Sequence, residues 1–440
     1  MISKNLLIAA VAGVFAANPA HAFSLFGSGN EANPAKVTAD AETFAQAHAP
    51  WAQPFMRALY RDGEWGAVLN LNRLGLAAMD QRQFGVARKA FDEAITRVEQ
   101  IYADDANAAK ARSVFNAEKL KDFKGEPYER AMMYYYRGLL YLEEGDYQNA
   151  RAAFLAADRH DTLSSAEEAA YAGTFGMMKY LAGWASSCDG DASRAEQLLQ
   201  EARAVDPKLQ ALPTQPGHSL VLIDSGPAPV KWGDGQHRQI LKFKAGAQED
   251  TEPVLRTPLG VQVQDLTLIG DVTHQAMTRG GREVDGIMAG KARFKDGAGV
   301  MGDTALAVGR QVLSQAGLSG DRGLANLGLA GMLFGMVAKG VEKSAVPEAD
   351  VRAWDNLPAR VMVHVAKDRD QLPAQLVLPT GPAALPLQAS KGTCSVAWGR
   401  TRPATLGLDL QGGSPASETN RAARNREFRA MLAADMSVSR

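Results

Sequence analysis

Beyond residue 22, six histidines stand at His48, His160, His218, His237, His274 and His364. None has a second His or a Cys at metal-ligand spacing, so neither an HExxH nor a Cys-pair zinc site is present. The run DGDAS (189–193) imitates the start of a calcium loop. Arg194 stands where such a loop turns on Gly, and Gln200 where it needs a bidentate Glu, so a plain hairpin turn is expected. GIMAGKA (286–292) has the look of a phosphate loop shortened by one residue, with Ala292 where Ser or Thr must hold magnesium. No GxSxG elbow occurs. Asp224, Asp265, Asp271 and Glu283 put carboxylates near strand-like segments, where general acid–base work can be assembled; scattered carboxylates are more often solvated. The expectation is no catalytic constellation, no metal and no cofactor.

The cysteines are Cys188 and Cys394, one in each half of the chain. A bridge between them would tie the helical half to the strand-like TCSVAW; the other reading is two buried free thiols. Residues 1–22 read as a targeting segment: Lys4 in a short n-region, an apolar run over 6–17, and Ala20-His21-Ala22 before a cut after Ala22. A periplasmic location is therefore expected, where disulfides persist. Net charge is −1, or −2 without Lys4. That balance argues against nucleic acid and against broad attraction to anionic lipid.

These residues must be positioned by two unlike halves. From Val37 to about Lys208 proline is scarce, and apolar residues recur at three and four, the helical period. Three copies of one spacing stand out: a Gly, an Ala twelve residues on, a large apolar residue four later and an Ala three after that. They are Gly75-Ala87-Phe91-Ala94, Gly138-Ala150-Phe154-Ala157 and Gly183-Ala195-Leu199-Ala202, the last followed by Pro207. The small residues predict close approach of two helices, with the large one filling the gap. The chain over 65–208 thus resembles the tetratricopeptide repeat superfamily. Its copies lie 63 and 45 residues apart against a family period of about 34, so helices such as 102–120 must intervene and the array is irregular. Mapped onto the ligand-facing places of that family, the resemblance implies a partner-binding groove carrying Asn72, Leu76 and Met79, then Tyr135, Leu139 and Leu142, then Tyr180 and Trp184. The core of this candidate set is Asn72, Met79, Tyr135, Leu139, Tyr180 and Trp184. Any one of them could instead pack against intervening helices or the second domain.

After Pro207 the composition changes. LPTQPGHS is a linker by its prolines and glycine. Strand-like runs follow at 220–224, 239–243, 261–269, 360–366, 375–378 and 394–398, interrupted by helical stretches at 303–316 and 324–341. The latter is apolar and Gly-studded, with a GxxxG at Gly331 and Gly335. It reads as a buried helix or, alternatively, as a membrane-pairing one, its length being marginal for a span.

The fold expected is multidomain α+β, with irregular tetratricopeptide-like helical repeats followed by a mixed β-sheet domain with helices. Its divisions are a signal peptide (1–22), a flexible leader (23–36), the repeat domain (37–210), a linker (211–219), the α+β domain (220–400) and a flexible tail with a short exposed helix (401–440).

Three phrases outside the repeat spacing, DFKGEPYERAMMYYYRGLLYL (122–142), LVLIDSGPAPVKW (220–232) and ADVRAWDNLPARVMVHVA (349–366), resemble a poorly characterised family of secreted bacterial proteins and lipoproteins with tetratricopeptide-like N-terminal halves. The resemblance implies an envelope accessory protein without enzyme activity. The expected function is that of a non-enzymatic envelope interaction protein binding a protein or peptide through its repeats, without nucleic acid and without a stable membrane span. The alternatives are an envelope hydrolase with its site in the second domain, and a self-assembling envelope component using the Gly-rich helix.

Overall fold

The computed structural model describes residues 34–103, 122–162, 175–212, 219–236, 238, 240–247, 252–256, 260–263, 266–279, 349–366, 375–405, 408, 410 and 415–438. The signal segment, GIMAGKA and both helical stretches expected between 303 and 341 lie outside these residues.

The first half is helical: α1 (Pro34–Gln46), α2 (Gln53–Asp62), a 3-10 turn (Gly63–Trp65), α3 (Ala67–Asp80), α4 (Phe84–Ala103), α5 (Pro127–Glu144), α6 (Tyr147–Thr162), α7 (Met177–Cys188) and α8 (Ala192–Val205), closed by a 3-10 turn at Pro207–Ala211. Helices α3 and α4, α5 and α6, and α7 and α8 pack as hairpins. Their repeat spacing has a direct steric cause. A Cβ added to Gly75 would sit 2.8 Å from the Phe91 ring, and one on Gly183 2.9 Å from Leu199, while one on Gly138 would overlap Phe154. Each glycine lets the facing large side chain press onto helix backbone, and Phe91, Phe154 and Leu199 are buried there.

Local chemistry sets the helix ends. Helix α5 begins on Pro127, whose missing N–H is no loss in the first turn, and the Glu129 carboxylate takes the Glu126 N–H at 2.8 Å. It ends on Gly145 at φ 67°, a left-handed position suited to Gly. The DGDAS run makes the α7–α8 turn, with Asp191 capping α8 through the Arg194 N–H.

The second half holds eleven strands among the described residues: β1 (Ser219–Ser225), β2 (Val230–Asp234), β3 (Ile240–Lys244), β4 (Val254–Arg256), β5 (Gln262–Val263), β6 (Thr267–Asp271), β7 (Arg360–Ala366), β8 (Gln375–Leu378), β9 (Gly381–Ala384), β10 (Leu387–Lys391) and β11 (Cys394–Arg400), with α9 (Val272–Arg279) after β6 and α10 (Pro415–Asp435) at the end. They form a five-stranded sheet in the order β10-β11-β1-β7-β6, a four-stranded sheet β5-β4-β8-β9 and a β2–β3 hairpin. Strands β1 and β11 run parallel, and the other pairs are antiparallel. The arrangement is α+β, helical repeats followed by a mixed sheet with helices.

Strand β1 is buried along its whole length because both of its faces are covered. Val221 and Ile223 pack with Met362 and Ala397 against Leu255 and Leu376 of the second sheet. On the opposite face, Leu220 and Leu222 join Val363, Val396 and Trp398 in the core shared with the helices. The layers run helices, five-stranded sheet, four-stranded sheet, and the largest core crosses from the repeats into the sheet.

The stretch expected as a flexible tail with a short exposed helix is otherwise. Helix α10 is 21 residues long and packs back onto α2 and the turn after it. Phe428 and Leu432, with Met436 and Val438 just beyond, are buried, the Arg97 guanidinium lies over Phe428, and Asn425 takes the Glu64 N–H at 2.9 Å. The strand-like run 261–269 is also divided, into β5 and β6.

Candidate functional site

The six groove candidates are all inside the molecule. Met79, Tyr135, Leu139 and Trp184 have no exposed surface, and Asn72 and Tyr180 are 1–2% exposed. The repeat face they were expected to offer is covered by the chain's own second half. Strand β10 crosses α5, helix α9 also packs on α5, and Gly270 of β6 sits on Phe175 and Met177. At the rim, Lys391 lies against Gly145, and its carbonyl accepts the Tyr147 hydroxyl at 2.8 Å. Cys188 and Cys394 are joined, with Cα atoms 5.8 Å apart across 206 residues of chain, pinning the end of α7 to the start of β11.

The three phrases noted outside the repeat spacing converge at this interface and build two charge clusters. In the first, Asp224 on β1 faces the helices. Tyr136 of α5 donates to it at 2.7 Å and Tyr135 at 3.4 Å, and Arg400, its cross-strand partner on β11, lies 3.5 Å away. Asp80, at the end of α3, stands 3.9 Å from the same guanidinium and accepts the Ala404 N–H at 2.6 Å. Two buried carboxylates thus share one cation. Burial pushes Asp224 up to about 6 against the opposing pull of Arg400 and the Tyr136 hydrogen bond. Burial raises Asp80 too, again opposed by Arg400. Both tyrosines are held far above their ordinary range by burial and by the neighbouring carboxylate.

In the second cluster the charges meet face to face. Lys231 of β2 donates to Glu129 of α5 at 2.6 Å, both side chains being 1% exposed. The other Glu129 oxygen takes the Trp354 N–H at 2.8 Å, and Phe123 and Tyr128 turn their rings toward the ammonium. Next to it the Arg352 fork grips Asp350 and lies 4.2 Å over Trp65.

Between the clusters opens a cleft of about 500 Å³. Its walls come from Trp65 and Leu69 of the helical half, the turn 226–231, residues 351–357, and Arg400, Arg402 and Pro403. Arg73, Lys231, Arg352 and Arg400 line it, but each already holds a carboxylate: Asp355, Glu129, Asp350 and Asp224 respectively. These cations brace the walls. At its edge the cleft offers apolar surface, with Val230 and Val351 40% and 39% exposed. Asn356 is 3% exposed and spends its Nδ2 on the carbonyls of Arg73 and Ala404, while its Oδ1 accepts no hydrogen bond.

Of the carboxylates weighed for hydrolysis, Asp224 is sealed behind Arg400 and does not line the cleft. Asp271 caps α9 through the His274 N–H at 2.8 Å. Asp265 and Glu283 lie outside the described residues. Among the described residues no group of His, Cys, Asp and Glu is arranged to hold a metal ion, and no helix is long and apolar enough to cross a membrane. The spacing arguments missed Lys231, Glu129, Arg352 and Asn356, because residues so far apart in sequence share no period. The sole signal was that each falls within one of the three phrases. No family model, no curated protein and no solved structure matches this chain.

Proposed function

We propose that the protein is a non-enzymatic interaction protein of the cell envelope, that its helical repeats of tetratricopeptide type serve as an internal clamp, and that a protein or peptide partner engages the cleft between the repeats and the sheet. The observation that carries this is the occupancy of the repeat face by the chain's own sheet, which leaves a cleft of about 500 Å³ open between the helical half and the sheet. The Cys188–Cys394 bond supports an oxidising compartment, in keeping with the leader-like residues 1–22. The hydrolase alternative gains no observation, since Asp224 is buried and does not line the cleft.

Photo-crosslinking in cells tests the assignment. A benzophenone side chain at Val351, on the cleft edge, is expected to give a discrete protein adduct, and one at the exposed Met277 on α9 is not. Equal labelling from both positions, or none from Val351, would remove the cleft from the function.

A further inference from the structure

Beyond α10, the turn between α1 and α2 holds Val438 through both sides of its backbone. The Val438 N–H donates to His48 Nδ1 at 3.3 Å, and its carbonyl accepts the Ala49 N–H at 3.1 Å. Both Val438 and His48 are buried, and the Phe44 ring of α1 lies edge-on to the imidazole, 4.8 Å between centroids. A ring nitrogen that accepts a hydrogen bond carries no proton. The seated ring is therefore neutral, with its proton on Nε2, which has no hydrogen-bond partner. A second proton must enter at Nδ1. It would set two N–H donors face to face and place a positive charge in a buried site. No charged side chain among the described residues bonds the ring to take up that charge. On α1, Lys36 and Asp40 pair with each other, and Glu42 is held by Arg57 of α2. Further along α2, Arg61 grips Asp62, and Tyr60 lies against Phe44. Arg429 of α10 and Lys89 of α4 bond the carbonyls of Tyr60 and Asp435, while the Glu427 and Asp435 side chains are exposed. Burial accordingly lowers the His48 pKa from its ordinary value.

We propose that His48 is a proton-operated latch for the C-terminal segment: the neutral ring seats Val438, and protonation at Nδ1 releases the segment from the α1–α2 turn. Release uncovers the apolar surface that Met436 and Val438 cover and frees Lys89 from the Asp435 carbonyl. A released ring takes a proton near its ordinary 6.5, and a seated ring only at lower pH. The seat is thus complete above 6.5 and weakens as pH falls below it. Asp224 acts in the opposite sense, since its folded form takes up a proton over the same interval. Acid therefore loosens the C-terminal segment while it favours the core between α5 and β1.

Hydrogen–deuterium exchange of the full disulfide-bonded chain tests this, with rates converted to protection factors to remove the intrinsic pH dependence of exchange. Between pH 7.5 and 5.5 the amides of 428–438 are expected to lose about tenfold in protection. Those of α5 are expected to lose less, because Asp224 gains its proton there. His48→Asn puts an uncharged acceptor in the place of Nδ1 and should leave 428–438 equally protected at both pH values. Undiminished protection of the parent chain at pH 5.5, an equal loss in α5, or the same pH dependence in His48→Asn overturns the latch. Should the variant leave 428–438 unprotected at both pH values, the His48 Cε1 proton resonance of the parent chain decides. A midpoint below 6.5 that coincides with the loss of protection upholds the latch. A midpoint at or above 6.5, or a loss of protection without titration of the ring, overturns it.

Discussion

The two sides of the repeat–sheet interface differ in what covers them. Over α5 and α7 the sheet lies flush, with aromatic rings, a disulfide and two carboxylates on one guanidinium shut between the layers. Toward α3 the same layers part into the cleft, where Arg73, Lys231 and Arg352 each hold a carboxylate and the edge is apolar and open. Surface rich in Tyr and Trp is equally suited to a partner chain and to the protein's own second half; here the second half occupies it. The sealed side is therefore where substitutions should cost stability, and the open side where they should cost binding.

The largest expected effect lies on the sealed side. Replacing Cys188 and Cys394 by Ser releases a constraint spanning 206 residues, for which loop entropy gives a loss of about 5 kcal/mol. Urea unfolding of the oxidised chain against the double variant measures it. A difference below about 1 kcal/mol would mean the sheet stays in the repeats without the bond. Next comes Lys231→Met, which leaves Glu129 charged and buried with its cation gone, a loss of roughly 3–5 kcal/mol. Adding Glu129→Gln should restore most of that loss, since the neutral pair removes the stranded charge. If the double variant is no better than the single one, packing rather than charge governs the site.

The shared carboxylates make the sealed side respond to pH. Asp224 titrates near 6 when folded and near 3.8 otherwise, so between these values the folded chain holds a proton that the unfolded chain lacks. Stability from this group accordingly grows as pH falls from 7.5 toward 4, is fully present below the unfolded value, and is lost as pH rises through 6. Asp80 shifts in the same direction. The gain is on the order of 2–3 kcal/mol, and Asp224→Asn should flatten the profile between pH 7.5 and 5. A parent chain that weakens over that interval while the variant does not would contradict the assignment. The smallest stability effect belongs to the open side: Trp232→Ala should change unfolding by no more than about 0.5 kcal/mol.

The repeat hairpins were legible in sequence because one glycine and one large side chain, sixteen positions apart, must meet in each, and Gly75–Phe91, Gly138–Phe154 and Gly183–Leu199 do. Strands β1, β7 and β11 were legible as apolar runs, being covered on both faces. Strand β2 was not: its alternation of exposed Val230, buried Lys231 and exposed Trp232 inverts the usual pattern, because Lys231 is buried on Glu129. Helix α10 was read as exposed since its sequence is charged, yet Arg421, Arg424 and Arg429 find Asp122 and the Tyr60 carbonyl, and only a narrow stripe around Phe428 and Leu432 enters the core. The groove residues were assigned to a partner yet are buried within the chain, because a buried contact and a partner contact ask for the same residue types.

Hydroxyl-radical footprinting of the oxidised chain at neutral pH compares the two sides in one experiment. Met79, Tyr135 and Trp184 should be protected to the level of other core residues, while Trp232 and Met277 should be oxidised at rates close to those of the unfolded chain. Labelling of Tyr135 and Trp184 as fast as Trp232 would mean that the repeat face is open and that the sheet does not fill it.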